Sequence, residues 1–203
     1  MPSLLRLAWP SLLWEVKGTE EKEVFLTFDD GPTPKITDKV LNILAGYNAK
    51  ATFFCLGKNA EAHPEILAAL TAAGHSIGNH SYSHLCGWDI DTQTYLEDIK
   101  KASGYIESKL FRPPYGKVKL NQAKALQKEY SIIMWSLLSG DFDRKLDREK
   151  SLQIMETKAK PGSIIVFHDS VKAAENMYYI LPKLLESLAS KGFIFAALPQ
   201  NGL

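Results

Sequence analysis

Two adjacent carboxylates end an apolar run in TFDDGP at 27–32, and two histidines stand four residues apart in HSYSH at 80–84. Neighbouring side chains on a strand point to opposite sides, so Asp29 and Asp30 can take different tasks in one pocket, one on a cation and one on a proton. Histidines at that spacing share a face if the segment makes a helical turn, and both can then meet one metal ion. Adding Asp30 gives two imidazoles and a carboxylate, a recurrent catalytic ligand set that leaves positions open for water and substrate. Each piece alone has a plainer reading: DDG makes a turn with a helix-capping aspartate, and an HxxxH pair arises by chance. His75 reads as a strand-entry residue rather than a ligand.

Two further segments bring chemistry to strand ends. In RPPYG at 112–116 the prolines stiffen the backbone and the glycine permits a sharp exit, which aims Arg112 and Tyr115 reproducibly. Arg112 suits a two-pronged ion pair with a carboxylate, with loop pinning as the alternative. In FHDS at 167–170, His168 closes an apolar run and titrates in the range a general acid needs. Asp169 reads as a cap or turn former, and Asp141, in WSLLSGDFD, as a partner that orients His168.

The elements that must position these residues alternate. Short apolar runs at 23–28, 51–57, 75–80, 131–137, 162–169 and 193–198 read as strands. Helical patterns lie between them at 37–47, 60–73, 92–109, 120–129 and 147–158, with a last one at 174–190. Strand followed by helix, repeated, means parallel strands covered by helices, either closed into a barrel or left as an open doubly wound sheet. Every suspicious residue falls just after a strand end.

At 203 residues with a net charge of +1, the chain reads as one domain, 23–203, preceded by an N-terminal cap segment, 1–22. No basic stripe is present, which argues against nucleic acid or an anionic membrane as partner. Cys55 and Cys86 make no CxxC pair and read as free thiols. The opening MPSLLRLAWPSLLWEV is interrupted by Arg6, Pro10 and Glu15 and lacks a small-residue cleavage site. It is too short to span a bilayer, so an amphipathic cap is expected, with a membrane-surface anchor as the alternative. A cytoplasmic location is favoured over association with the cell envelope.

In that order, TFDDGP, HSYSH, RPPYG, WSLLSGDF and VFHD resemble the five motifs of the polysaccharide deacetylases, carbohydrate esterase family four, from Phe25 to Asp169. The resemblance, which includes the chitooligosaccharide deacetylase homology domain, implies an α/β fold, a distorted (β/α) barrel with about seven parallel strands. It implies Asp29 as catalytic base, Asp30, His80 and His84 as metal ligands, and Arg112 as partner of the base. Tyr115 corresponds to the residue whose backbone N–H holds the oxyanion, His168 to the catalytic acid, and Asp141 to the carboxylate that tunes it. Departures cluster in the fourth motif, where Ser136 and Leu138 replace acids and Phe142 stands for a tryptophan; Val166 replaces a leucine in the fifth. These bear on substrate choice.

The expected chemistry is metal-assisted hydrolysis of acetyl groups on an acetylated glycan or amino-sugar oligomer of peptidoglycan or chitin type, N-acetyl amides foremost, with O-acetyl esters open to the same chemistry. Zinc is the first choice of cation, with cobalt, nickel and iron also compatible with the ligands. Tyr115, Trp88 and Phe142 are candidates to pack against sugar rings, and Trp135 divides between core and contact. Two competing readings are a glycan-binding module that has lost turnover and a hydrolase of non-sugar amides.

Overall fold

The run EVFLTFD folds as β1 (Glu23–Asp29), buried from its second residue to its last. The computed structural model describes Trp9, residues 11–18 and residues 21–201. After β1 come α1 (Ile36–Ala45), β2 (Ala51–Cys55), α2 (Gly57–Ala62), α3 (Pro64–Ala72), β3 (Ser76–Asn79) and α4 (Thr92–Ala102). Then follow β4 (Leu110–Phe111), a 3-10 turn (Pro114–Gly116), α5 (Leu120–Leu126), β5 (Ser131–Ile132) and β6 (Leu137–Leu138). The chain ends with α6 (Arg148–Lys158), β7 (Ile164–His168), α7 (Ala174–Ser190) and β8 (Ile194–Phe195).

The strands lie in the order β5-β4-β3-β2-β1-β7-β6, with β8 paired to the start of β1. Every pairing in that order is parallel. Strands β5 and β6 are consecutive in the chain yet occupy opposite edges, joined by residues 133–136 alone. A sheet whose two edges share so short a link has to curl, and the result is a distorted barrel. Residues near the N-terminus span the seam: Leu13 N donates to Ile132 O at 3.0 Å, Met134 N to Leu13 O at 2.7 Å, and Val16 N to Gly162 O at 2.9 Å.

Strand alternation divides β1 between two cores. Val24, Leu26 and Phe28 pack outward with Val40, Leu44, Leu181 and Leu184 of the helices. Phe25 belongs to a second cluster with Phe54, Ile164 and Val166. Thr27 and Asp29 continue that second side toward the C-terminal end of the strand. Burying each such Phe or Leu contributes roughly 1.5–3 kcal/mol, so the register that turns Asp29 inward is held by its apolar neighbours.

Three expected elements are broken. The strand expected at 131–137 is two short strands, because its middle is the crossing between sheet edges. The helix expected at 60–73 is interrupted before Pro64, whose ring is incompatible with a continuing helix but suits the first turn of a new one. The helix expected at 92–109 ends at Ala102, and the chain after Gly104 turns into β4, a two-residue strand too short to show a period. The cap expectation for 1–22 falls partly outside the described residues; within them, Leu12 and Trp14 are buried in the second core.

Candidate active site

Five of the candidate side chains leave the C-terminal end of a strand or the residue just beyond it, where parallel barrels gather their chemistry, while His84, Tyr115 and Asp141 stand on the loops that follow. Asp30 follows β1, His80 follows β3 and Arg112 follows β4, while Asp29 and His168 are the last residues of β1 and β7.

Asp30, His80 and His84 offer three ligand atoms that lie within 4.8 Å of one another. Asp30 Oδ1 is 3.2 Å from His84 Nε2 and 3.7 Å from His80 Nε2. His80 Nδ1 lies 2.8 Å from Arg112 O, a carbonyl that only accepts, so Nδ1 carries the proton and the Nε2 lone pair turns toward Asp30. Burial lowers the His80 pKa, against the opposing pull of Asp29 and Asp30, which favours the neutral form a metal ligand requires. Burial alone would raise the Asp30 pKa, but its contact with His84 and the nearby His80 and His168 bring it down to about 2. Two imidazoles and an ionised carboxylate at this separation fit a divalent transition-metal ion.

The sequence spacing pointed to a helical turn at HSYSH, but the segment forms neither helix nor strand. The two rings meet, 5.1 Å apart, because Ser81 and His84 adopt left-handed φ values of 66° and 62°. Asp30 at φ 79° and Tyr115 at φ 60° are likewise left-handed. Non-glycine residues in that region each cost about 1–2 kcal/mol, a strain typical of functional sites. Gly31 next to Asp30 is close-packed: a Cβ there would lie 2.0 Å from Asp169 Oδ2.

Asp29 pairs with Arg112, whose Nη1 donates to Asp29 Oδ1 at 2.7 Å. The pairing is one-pronged rather than two-pronged. The same Nη1 also donates to Thr27 Oγ1 at 2.7 Å, while Nε and Nη2 donate to the carbonyls of Ile133 and Met134. The fully buried guanidinium lies over the Phe54 ring at 4.1 Å. A buried charge needs this full set of partners, and Arg112 spends its fork on several of them.

On the far side of β1, His168 Nδ1 lies 2.7 Å from Asp141 Oδ1, and His168 N donates to Asp141 Oδ2 at 2.8 Å. Burial pulls the His168 pKa down, but Asp141, Asp29 and Asp30 outweigh it and raise it to about 9. Asp141 is itself positioned by α7: Asn176 Nδ2 donates to the carbonyls of Asp141 and Asp143, both at 2.9 Å. Asp169 has turned away from the cavity, accepting from Gly31 N and Thr37 Oγ1. Burial raises its pKa to about 7 against those hydrogen bonds. It pins the Asp30 turn to β7. His75 accepts from Ala51 N through Nδ1, and burial, with Lys50 nearby, lowers its pKa to about 4.

One cavity of about 610 Å³ is lined by Asp29, Asp30, His80, His84, His168, Tyr115 and Phe142 together. Tyr115, 62% exposed, packs edgewise on His84, and Phe142, 37% exposed, on His168. Trp135 is buried and still lines the cavity, so core and contact readings both apply. Trp88 is 57% exposed but lies outside the cavity lining, its indole N–H donating to Val118 O. Residues that the sequence left unmarked are Lys172 and Ser170 on the rim and the supports Asn59 and Asn176. Asn59 and Asn176 act on backbone carbonyls of distant segments, so no local pattern announces them.

A curled parallel barrel carrying a His-His-Asp cluster between an Asp–Arg pair and a His–Asp pair defines the class of carbohydrate esterase family four deacetylases. Residues 16–132 match the polysaccharide deacetylase family, and the chain belongs to it. A peptidoglycan-N-acetylglucosamine deacetylase of Bacillus cereus is 36% identical over 96% of this chain and 76% of its own length. A chitooligosaccharide deacetylase of Sinorhizobium fredii is 31% identical over 91% and 94% of the two chains. Among solved structures, a peptidoglycan N-acetylglucosamine deacetylase bound to an N-oxidanyl-benzamide superposes with a TM-score of 0.85 at 30% identity, covering 97% of this chain and 96% of the other.

Proposed function

We propose that this chain is a metal-dependent deacetylase of N-acetylated amino sugars in a peptidoglycan- or chitin-type glycan. The observation that carries the reading is that Asp29, backed by Arg112, the Asp30–His80–His84 cluster, and His168, backed by Asp141, line one cavity. Its relatives' activities on peptidoglycan and chitooligosaccharides support the substrate class.

Asp30, His80 and His84 are the residues to hold the cation, zinc by first choice. When bound, such a cation supplies Lewis acidity toward an acetyl carbonyl and toward water. Asp29 takes the proton of the attacking water. Its Oδ1 is committed to Arg112, so Oδ2 receives that proton. The Tyr115 N–H, in its tight left-handed turn, is assigned to the developing oxyanion, where one such donor is typically worth about 2.7–4 kcal/mol. His168, protonated at neutral pH, delivers its Nε2 proton to the departing nitrogen, while Asp141 holds Nδ1. That donation matters for an amide, because an amine is a poor leaving group as an anion.

Acetate release from N-acetylated chitooligosaccharides and from peptidoglycan, after chelation and after adding back zinc, cobalt, nickel or iron, tests the reading. Release that needs the cation supports it. No release with any metal, with glycan binding retained, would instead make the chain a binding module, and release from non-sugar amides alone would remove the glycan assignment.

A further inference from the structure

The backbone of residues 81–84, which carries His84, lies in neither a helix nor a strand, so its N–H groups need partners outside any regular ladder. All four donate to side-chain oxygens: Ser81 N to Asn79 Oδ1 at 2.8 Å, Tyr82 N and Ser83 N to Asp98 Oδ2 at 2.9 and 3.0 Å, and His84 N to Ser81 Oγ at 3.0 Å. Asn79 and Ser81 belong to the segment or its immediate approach. Of these three acceptor side chains Asp98 is the one from a distant element and the one that is charged; on the carbonyl side, Ser81 O and Tyr82 O accept from Gly57 N and Lys58 N at the start of α2.

Asp98 stands on α4, an ordered platform. The helix is capped by Asp91, which accepts from Thr94 N, and packs through Tyr95, Ile99 and Ala102. Asn79 Nδ2 donates to Ile99 O at 3.1 Å, tying the helix to the end of β3. Two consecutive N–H groups converging on one carboxylate oxygen form a small anion nest, and such charge-assisted bonds are stronger than neutral ones. They fix Tyr82 and Ser83, the two residues that link Ser81 to His84, and it is Ser81 and His84 whose left-handed φ values have to be held against their intrinsic preference. The Tyr82 side chain is fixed separately, by Glu61 and by Lys101 over its ring, and that contact lies on the outside of the loop.

We propose that Asp98 is a positioning residue for the metal centre, locking the 81–84 backbone so that His84 Nε2 is aimed at the cation; this rests on the metal reading above. Partners that orient metal ligands typically change metal affinity by about 10–100-fold when removed. The test is zinc affinity of the full chain, measured by competition with a chromophoric chelator, for wild type, Asp98→Ala, Asp98→Asn and Tyr82→Phe, with circular dichroism reporting the fold. Asp98→Ala is expected to weaken binding about 10–100-fold, Asp98→Asn, which retains an acceptor oxygen, to recover part of that loss, and Tyr82→Phe to bind as wild type. Binding by Asp98→Ala equal to wild type, or an equal loss in Tyr82→Phe, overturns the assignment. Should Asp98→Ala not fold, Asp98→Asn decides: weaker zinc binding supports the inference, and wild-type binding overturns it. His80→Ala serves as the control that loses zinc. A wild-type chain that takes up no zinc overturns the metal centre and this inference together, whereas wild-type binding with an unshifted Asp98→Ala overturns the inference alone.

Discussion

Asp29 and Asp30 are chemically identical neighbours with different surroundings. Asp30 faces two imidazoles, and Asp29 meets a buried guanidinium. Asp29→Asn is expected to lower kcat by about 10²–10⁴-fold while zinc affinity, measured by chelator competition, stays near wild type. Near-normal turnover in that variant would remove Asp29 as the base. His168 gives a pH dependence. Its pKa of about 9 lies above the ordinary value of 6.5, so the protonated acid persists through neutrality and is lost as pH rises through about 9. The same sign holds for stability: what His168 contributes is fully present below about 6.5 and disappears as pH climbs through about 9. Asp141→Asn removes the leading cause of the rise, so the alkaline limb of kcat/KM should move toward lower pH; an unmoved limb would assign it to another group. These residues were legible because side chains with unusual chemistry recur at strand ends. Asn59, Asn176 and Asp98 were not, since their partners are backbone groups far away in the chain.

At the scale of elements, the loops after the strands do the positioning. The 3-10 turn Pro114–Gly116 holds Tyr115 and Gly116 both at positive φ, and a Cβ on Gly116 would lie 2.5 Å from the Trp135 ring. Gly116→Ala is therefore expected to destabilise the fold by roughly 1–3 kcal/mol and to lower kcat more than it raises KM, because the Tyr115 N–H would shift. Denaturant unfolding and steady-state kinetics check both; an unchanged kcat would separate the turn from the chemistry. Long periodic elements such as α7 were readable to their ends, Ala174–Ser190. The short strands were not, because β4, β5 and β6 have two residues each and owe their existence to pairing rather than to pattern. Likewise the HxxxH spacing carried the contact between the rings but not the loop that makes it.

Over the whole molecule, closure of the barrel depends on residues far outside the chemical motifs. The sheet edges β5 and β6 are adjoining in sequence, and Leu13 to Val16 hydrogen-bond along the seam between Ile132–Met134 and Gly162–Ser163. Apolar patterning marked this segment as a cap, yet its pairing across the seam depends on which edges meet, and that is a property of the complete sheet. Trp14 is the sharpest probe. It is buried within the second core, the one that also holds Phe54 and Trp135, the residues flanking Arg112. If the segment is integral to the barrel, Trp14→Ala should cost about 3–5 kcal/mol, lowering Tm by about 2–4 °C for each kcal/mol. Unfolding should stay a single transition, because the seam and the core it seals are lost together. A variant that shows a separate low-temperature step, with the main transition unmoved, would make the segment a detachable cover and leave the barrel to close without it.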